Sequence, residues 1–185
     1  MPRLHPSPLF DALRLQDELA RLFETSTLPS PESIRQFLRG LRIAPEILAP
    51  FRRFGEESYR RNRIYLDEHC EMLLLCWRAG QASPAHNHRG SLCGLRVMEG
   101  VATETAFYPL SAGLALARET RELAAGSLLV NADQDIHRIA NLQASGADLV
   151  TLHLYAPPLR DMAVFNQPLA TSAAREQHAM PDYQI

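Results

Sequence analysis

Residues 80–100 read GQASPAHNHRGSLCGLRVMEG, with His86 and His88 two apart and glycines at both ends. Successive side chains of an extended chain point to opposite faces, so His86 and His88 share one face of a strand. Inside a small barrel that face is the interior. A second stretch, residues 126–141, reads GSLLVNADQDIHRIAN and places His137 directly after the strand candidate Ser127–Asn131. A third imidazole from an opposing strand completes a facial set of neutral nitrogen donors and leaves positions open on one side of a metal. Imidazole suits zinc, copper, iron and nickel alike, so ligand type does not choose the metal. A three-histidine zinc site that activates water is one outcome. Surface or hydrogen-bonded histidines are the simpler alternative for an isolated pair.

Outward from these two stretches the chain is a series of short strand candidates. EMLLLCWR (71–78) is a buried strand, followed by Gly94–Met98, Thr103–Tyr108, Ser127–Asn131 and Asp148–Tyr155, with turn signals at Gly80, Gly100, Gly113, Gly126 and Gly146. This spacing predicts a mainly β sandwich or barrel rather than alternating βαβ units. Thr151, His153 and Tyr155 alternate along one of these strands and therefore share a face.

Before about Asn62 the pattern is helical. Pro8 to Glu24 sets Leu9, Leu13, Leu19, Leu22 and Phe23 on one apolar face. Ser30, Pro31 and Glu32 open a second helix running to about Arg39, with Gly40 as its stop. Pro45 opens a short third helix ending before Gly55. The expected organisation is a helical segment over 1–58 packed on a barrel over 59–160, with a C-terminal extension over 161–185 that covers it.

The 185 residues suit a single domain, and 46% hydrophobic with 22% charged residues is ordinary for a soluble globular chain. A formal charge of -2 offers no global attraction to nucleic acid or to an anionic membrane. No apolar run approaches the roughly 20 residues that span a bilayer, and MPRLHPSPLF lacks the apolar core of a signal peptide. Cys70, Cys76 and Cys93 are odd in number and form no CxxC pair, so the expected compartment is the reducing cytoplasm. The expected state is a monomer or weak homo-oligomer.

The pattern Gly80-x5-His86-x-His88-x4-Cys93-x6-Gly100, then Gly126-x10-His137-x3-Asn141, resembles the two motifs of the cupin superfamily. That resemblance implies a jelly-roll β-barrel. The superfamily usually has Glu where Cys93 stands, and Pro and Gly where Ala132 and Gln134 stand. Losing the Glu leaves three neutral histidines and no carboxylate ligand.

Over 59–159 the resemblance narrows. Tyr59-x-Arg61-Asn62, Leu75-Cys76-Trp77, His86-x-His88, Cys93, His137-Arg138-x-x-Asn141 and Leu152-His153-Leu154-Tyr155-x-Pro157-Pro158 together resemble the cysteine dioxygenase family. The resemblance implies ferrous iron held by His86, His88 and His137, and addition of both atoms of dioxygen to a cysteine thiolate. It implies that Arg61 clasps the substrate carboxylate, since a guanidinium stays charged and bonds a carboxylate in pairs. Tyr59 and Trp77 join it as substrate-binding candidates, and Arg60 and Arg63 are alternatives for the same task. Thr151, His153 and Tyr155 match the family's Ser-His-Tyr row, with Thr151 keeping the hydroxyl. Cys93 matches the cysteine that in some members forms a thioether with the tyrosine at Tyr155. The Ala156–Pro157 bond is expected to be cis, Asn87 to point away from the metal, and Arg89 to face solvent.

Three other functions are weighed against this one. A related dioxygenase acting on 3-mercaptopropionate or a similar mercapto-acid comes first, although such relatives typically lack the arginine at Arg61. The others are a non-catalytic cupin that senses a metal or small molecule and a three-histidine zinc hydrolase.

Overall fold

Two runs, EMLLLCW (71–77) and LVTLHLYA (149–156), put large side chains on both faces of the strand, which requires a sheet covered on both sides. The computed structural model describes residues 8–24 and 28–168 and provides that cover. Helices α1 (Pro8–Phe23), α2 (Pro31–Gly40) and α3 (Pro45–Leu48) precede ten strands. The strands are β1 (Arg60–Leu66), β2 (Glu71–Trp77), β3 (Ala85–Asn87), β4 (Leu92–Glu99) and β5 (Val101–Pro109), then β6 (Ala115–Ala124), β7 (Leu128–Asn131), β8 (Ile136–Ala140), β9 (Leu149–Ala156) and β10 (Ala163–Phe165). They form two five-stranded sheets in the orders β1-β2-β9-β4-β7 and β10-β3-β8-β5-β6, with every named pair antiparallel.

The first sheet divides its side chains by strict alternation. Met72, Leu74 and Cys76 of β2 and Val150, Leu152, Leu154 and Ala156 of β9 pack outward with Leu15, Leu19, Ile34, Leu38 and Leu41 of the helical cover. Leu73, Leu75 and Trp77, Cys93, Leu95 and Val97, and Leu149 and Tyr155 pack inward instead. The helices therefore serve as the second layer for one face of the barrel. Helix α2 begins as expected, with Ser30 Oγ accepting from the Ser33 amide at 3.1 Å and Pro31 in the first turn, but it includes Gly40. The side chains of Leu9 and Leu13 lie outside the described residues.

Three elements differ from or add to the expected strands. The segment β6 was not expected, because ALARETRELA is exposed on both faces except near its ends and carries no apolar alternation. Its pairing with β5 holds it in place. Similarly, β1 is a strand although RRNRIYL reads as a basic run, because it pairs with β2, which sets Arg61 and Asn62 on different sides of the sheet. In the expected C-terminal extension, β10 pairs with β3 and Phe165 packs beside Ala85, Phe107 and Ile136. The remainder of that extension, from 169 on, lies outside the described residues. The Ala156–Pro157 bond is cis.

Gly94 marks a close approach of cover and barrel. A Cβ there would lie 2.7 Å from Leu38 Cδ1 and closer still to Ile34 Cγ2, two side chains with no solvent exposure. Gly94→Ala is expected to destabilise the protein by about 1–3 kcal/mol through overpacking, read as a lower midpoint in urea unfolding; an unchanged midpoint would show that the cover yields without cost.

Candidate metal centre and active site

Strand register brings two of the histidines together, for His86 on β3 is the cross-strand partner of His137 on β8. His88 follows the end of β3, where its amide donates to Asp133 O at 3.2 Å. All three residues are buried, and one ligand-capable nitrogen from each lies within 4.8 Å of the others. His88 Nε2 and His137 Nε2 are 3.3 Å apart.

For His86 the partner of the other ring nitrogen assigns the proton. His86 Nδ1 lies 2.9 Å from Pro84 O, and a carbonyl only accepts, so Nδ1 carries hydrogen and Nε2 keeps its lone pair. His137 Nδ1 lies 2.7 Å from Asn131 Nδ2, which only donates, and 3.5 Å from Glu104 Oε1, which only accepts, so these two neighbours favour opposite tautomers. His88 Nδ1 is buried without a hydrogen-bond partner. Neutral nitrogens whose lone pairs converge in a dry pocket fit a divalent first-row cation, because the ion satisfies them together.

Burial keeps His86, His88 and His153 uncharged. Burial first, then the neighbouring His137 and Arg61, pull His86 down to about 3, and the Pro84 carbonyl offsets only part of this. His88 and His153 are lowered in the same way, by burial before any neighbouring charge.

Beside the three rings runs a polar row on the inner face of β9. Trp77 Nε1 donates to Thr151 Oγ1 at 3.0 Å, and Thr151 Oγ1 is 2.9 Å from His153 Nε2. With one lone pair taken by Trp77, the Thr151 hydroxyl proton is available to His153 Nε2. That arrangement sets the His153 proton on Nδ1, 3.2 Å from the Tyr155 phenol. Cys93 on β4 is the cross-strand partner of Tyr155, and its Sγ lies 3.9 Å from His153 Nδ1. Burial pushes the Cys93 thiol up to about 12 and the Tyr155 phenol well above its ordinary value.

The Arg61 guanidinium reaches the same interior from β1, 5.6 Å from the centroid of the Tyr155 ring. Tyr59 stacks on Trp77 with centroids 4.0 Å apart. Arg60 and Arg63 are exposed, and Asn62 turns outward to donate to Arg53 O and Leu74 O. Arg89 is exposed and ion-paired with Asp161. Every sequence-predicted site residue therefore belongs to one buried neighbourhood, whereas the two alternative arginines do not.

Sequence reasoning missed Glu104. It sits on β5, 2% exposed, with its carboxylate between His137 Nδ1 and Arg121 Nε, the latter at 2.6 Å. Burial alone would raise its pKa, but hydrogen bonds and charge from His137 and Arg121 outweigh burial and hold it below the usual value. In VATETAF the glutamate is flanked by two threonines and reads as part of a solvated face, so periodicity offered no signal. A cleft of about 490 Å³ lies on this side of His137; Glu104, Asn131, Arg118 and Arg121 line it, and neither Arg61 nor Tyr155 does.

The depressed histidines set a pH dependence for the metal-free protein. Their ordinary value is 6.5 and that of His86 in the fold is about 3, so below about 6.5 the unfolded chain binds more protons. Stability is fully present above that pH and is lost as pH falls toward 3. The slope is about 1.4 kcal/mol per pH unit for each such histidine. Denaturant unfolding between pH 7 and pH 4 should show this loss, with a shallower slope in His86→Gln; identical slopes would refute the assignment for His86.

The family model for cysteine dioxygenase type I matches residues 12–168. Cysteine dioxygenase type 1 of Danio rerio is 26% identical over 171 residues, spanning 89% of this chain and 82% of the relative. The Homo sapiens protein of the same name is 25% identical over 168 residues, with the same coverage. Among solved structures, a Klebsiella pneumoniae protein with a double-stranded β-helix domain aligns at a TM-score of 0.52 and 15% identity, over 68% of this chain and 98% of that one. A Thermus thermophilus protein aligns at 0.51 and 22% identity, over 60% and 94% respectively. Among the described residues, no helix is long and apolar enough to cross a membrane. The barrel has the cupin fold, and with the family model covering most of its length the chain belongs to the cysteine dioxygenase type I family.

Proposed function

We propose that this protein is an iron(II)-dependent thiol dioxygenase that converts L-cysteine and O2 to cysteine sulfinate. The observation that carries the reading is the convergence of His86, His88 and His137 in one buried interior with Arg61 and Tyr155 beside them. His86, His88 and His137 would hold the ion. Ferrous iron, when bound, supplies a cation that stabilises the substrate thiolate and a metal with which dioxygen reacts. In the overall reaction both oxygen atoms are bonded to sulfur, the thiol proton is released, and sulfur loses the four electrons that dioxygen gains.

The protein residues have separate tasks. Arg61 binds the substrate carboxylate by paired charge-assisted hydrogen bonds, fixing the distance from carboxylate to sulfur. Tyr59 stacked on Trp77 walls the carboxylate end. The Trp77–Thr151–His153 chain holds the Tyr155 phenol in one orientation, and the phenol, kept protonated by burial, donates a hydrogen bond toward the reacting oxygen or sulfur. Thr151 does this with the hydroxyl that the row requires. Cross-strand pairing of Cys93 with Tyr155 supports a thioether between them after turnover. That step joins sulfur to a ring carbon with loss of two hydrogens, and dioxygen is the oxidant.

The buried free cysteines, with none in a disulfide, are consistent with a reducing cytoplasm. We take 59–160 together with β10 as the barrel unit, and the described helices before it as its cover in the same domain. The expected partners are a small thiol and O2, with no nucleic acid or membrane, in a monomer or weak homo-oligomer.

Anaerobic iron(II) reconstitution, followed by oxygen uptake and product mass with cysteine and 3-mercaptopropionate in parallel, tests the assignment. Cysteine should gain two oxygen atoms and outcompete the mercapto-acid. Faster turnover of 3-mercaptopropionate would reassign the substrate, and no thiol oxidation at all would favour a binding or sensing cupin. Arg61→Ala is expected to raise KM for cysteine by at least tenfold, matching the loss of about 1.5–3 kcal/mol for hydrogen bonds to a charged group. Intact mass after turnover should show a loss of two hydrogens in the wild type and none in Cys93→Gly; an unchanged wild-type mass removes the thioether.

A further inference from the structure

The Glu104–His137 contact lies outside every role assigned so far. From it we infer that Glu104 is a positioning residue for the metal centre, supplying through His137 the negative charge that three neutral ligands lack. Cys93 stands where cupins usually carry a carboxylate ligand, so the first coordination shell of this chain is uncharged. Glu104 is a carboxylate one imidazole removed from it.

Four observations place Glu104 in that role. Its side chain is nearly sealed from solvent, and burying a carboxylate is costly unless it is paired. Its Oε1 lies 3.5 Å from His137 Nδ1, the nitrogen turned away from the centre and 2.7 Å from Asn131 Nδ2; with a metal on Nε2 the proton sits on Nδ1, and of these two neighbours the carboxylate is the acceptor. Glu104 and Arg121 are cross-strand partners on β5 and β6, so the sheet register presents Arg121 to the carboxylate, at 2.6 Å. The Arg121 side chain is half in solvent while that of Glu104 is 3% exposed. Water therefore screens the guanidinium more than the carboxylate, and negative charge is left facing the ring. A ligating histidine whose second nitrogen donates to a carboxylate is a stronger, better-oriented donor, and loss of such a partner typically weakens metal binding about 10–100-fold.

The inference rests on the three-histidine site holding iron but not on any thiol being oxidised. Iron(II) affinity is measured anaerobically by competition with a chromophoric chelator for the wild type, Glu104→Gln and Glu104→Asp. Glutamine keeps the shape and removes the charge, so it should raise Kd by about 10–100-fold, and aspartate should recover part of that loss. Wild type and Glu104→Gln binding within twofold of each other would overturn the inference alone. A wild type that binds no iron would overturn it together with the metal site. A second measurement needs no variant, should Glu104→Gln fail to fold. In the metal-free wild type, nitrogen NMR should find the His137 proton on Nδ1, strongly deshielded by the carboxylate. A His137 proton on Nε2 overturns the assignment.

Discussion

Desolvation of neutral imidazole is the constraint from which the rest of the structure follows. A histidine ring holds a metal only through a lone pair, and in water near neutral pH part of that population is protonated. Here the rings of His86 and His88 sit in an interior where the charged form is strongly disfavoured, so the donors are ready before any ion arrives. Such an interior must be dry, and a barrel wall one residue thick does not achieve this without backing. The helical cover supplies the backing for one sheet, and the opposed second sheet closes the other side.

The same dryness gives the polar groups their strength. The row from Trp77 to Tyr155 has no competing water, so each member must be satisfied by its neighbour, and each neighbour thereby fixes a proton position. Arg61 places positive charge in this interior and makes protonation of the nearby rings still less favourable. That single cation helps to keep the imidazoles of the interior neutral. On the opposite side of His137, Glu104 provides charge of the other sign, against Arg121 at the margin of the cleft.

Much of this was legible in the chain, for identifiable reasons. His86 and His88 were readable because a period of two converts directly into a shared face. The continuous apolar runs of β2 and β9 announced burial on two sides, and the Ser30-Pro31 start of α2 follows from capping chemistry. What escaped had no periodic signature. The strand β6 is polar on both faces and exists because β5 offers it a ladder. Glu104 looked like a surface residue because its partners, His137 and Arg121, lie 33 and 17 positions away and meet it only through sheet pairing. Arg61 was separable from Arg60 and Arg63 by family resemblance, while its direction became visible only with the register of β1 on β2.

The alternation along β9 has a further consequence. Val150, Leu152 and Leu154 adhere to the helices while Thr151, His153 and Tyr155 form a polar row on the inner face, so adhesion and polarity are interleaved in one ribbon of backbone. Deleting or inserting a single residue there would exchange the two sets, pressing hydroxyl, imidazole and phenol into oil and lining the barrel interior with leucine. Point substitutions can adjust this strand, but changes in its length cannot be absorbed. The exposed turn that joins β5 to β6 at Ser111–Gly113 is under no such rule, and the chain can be lengthened or shortened there.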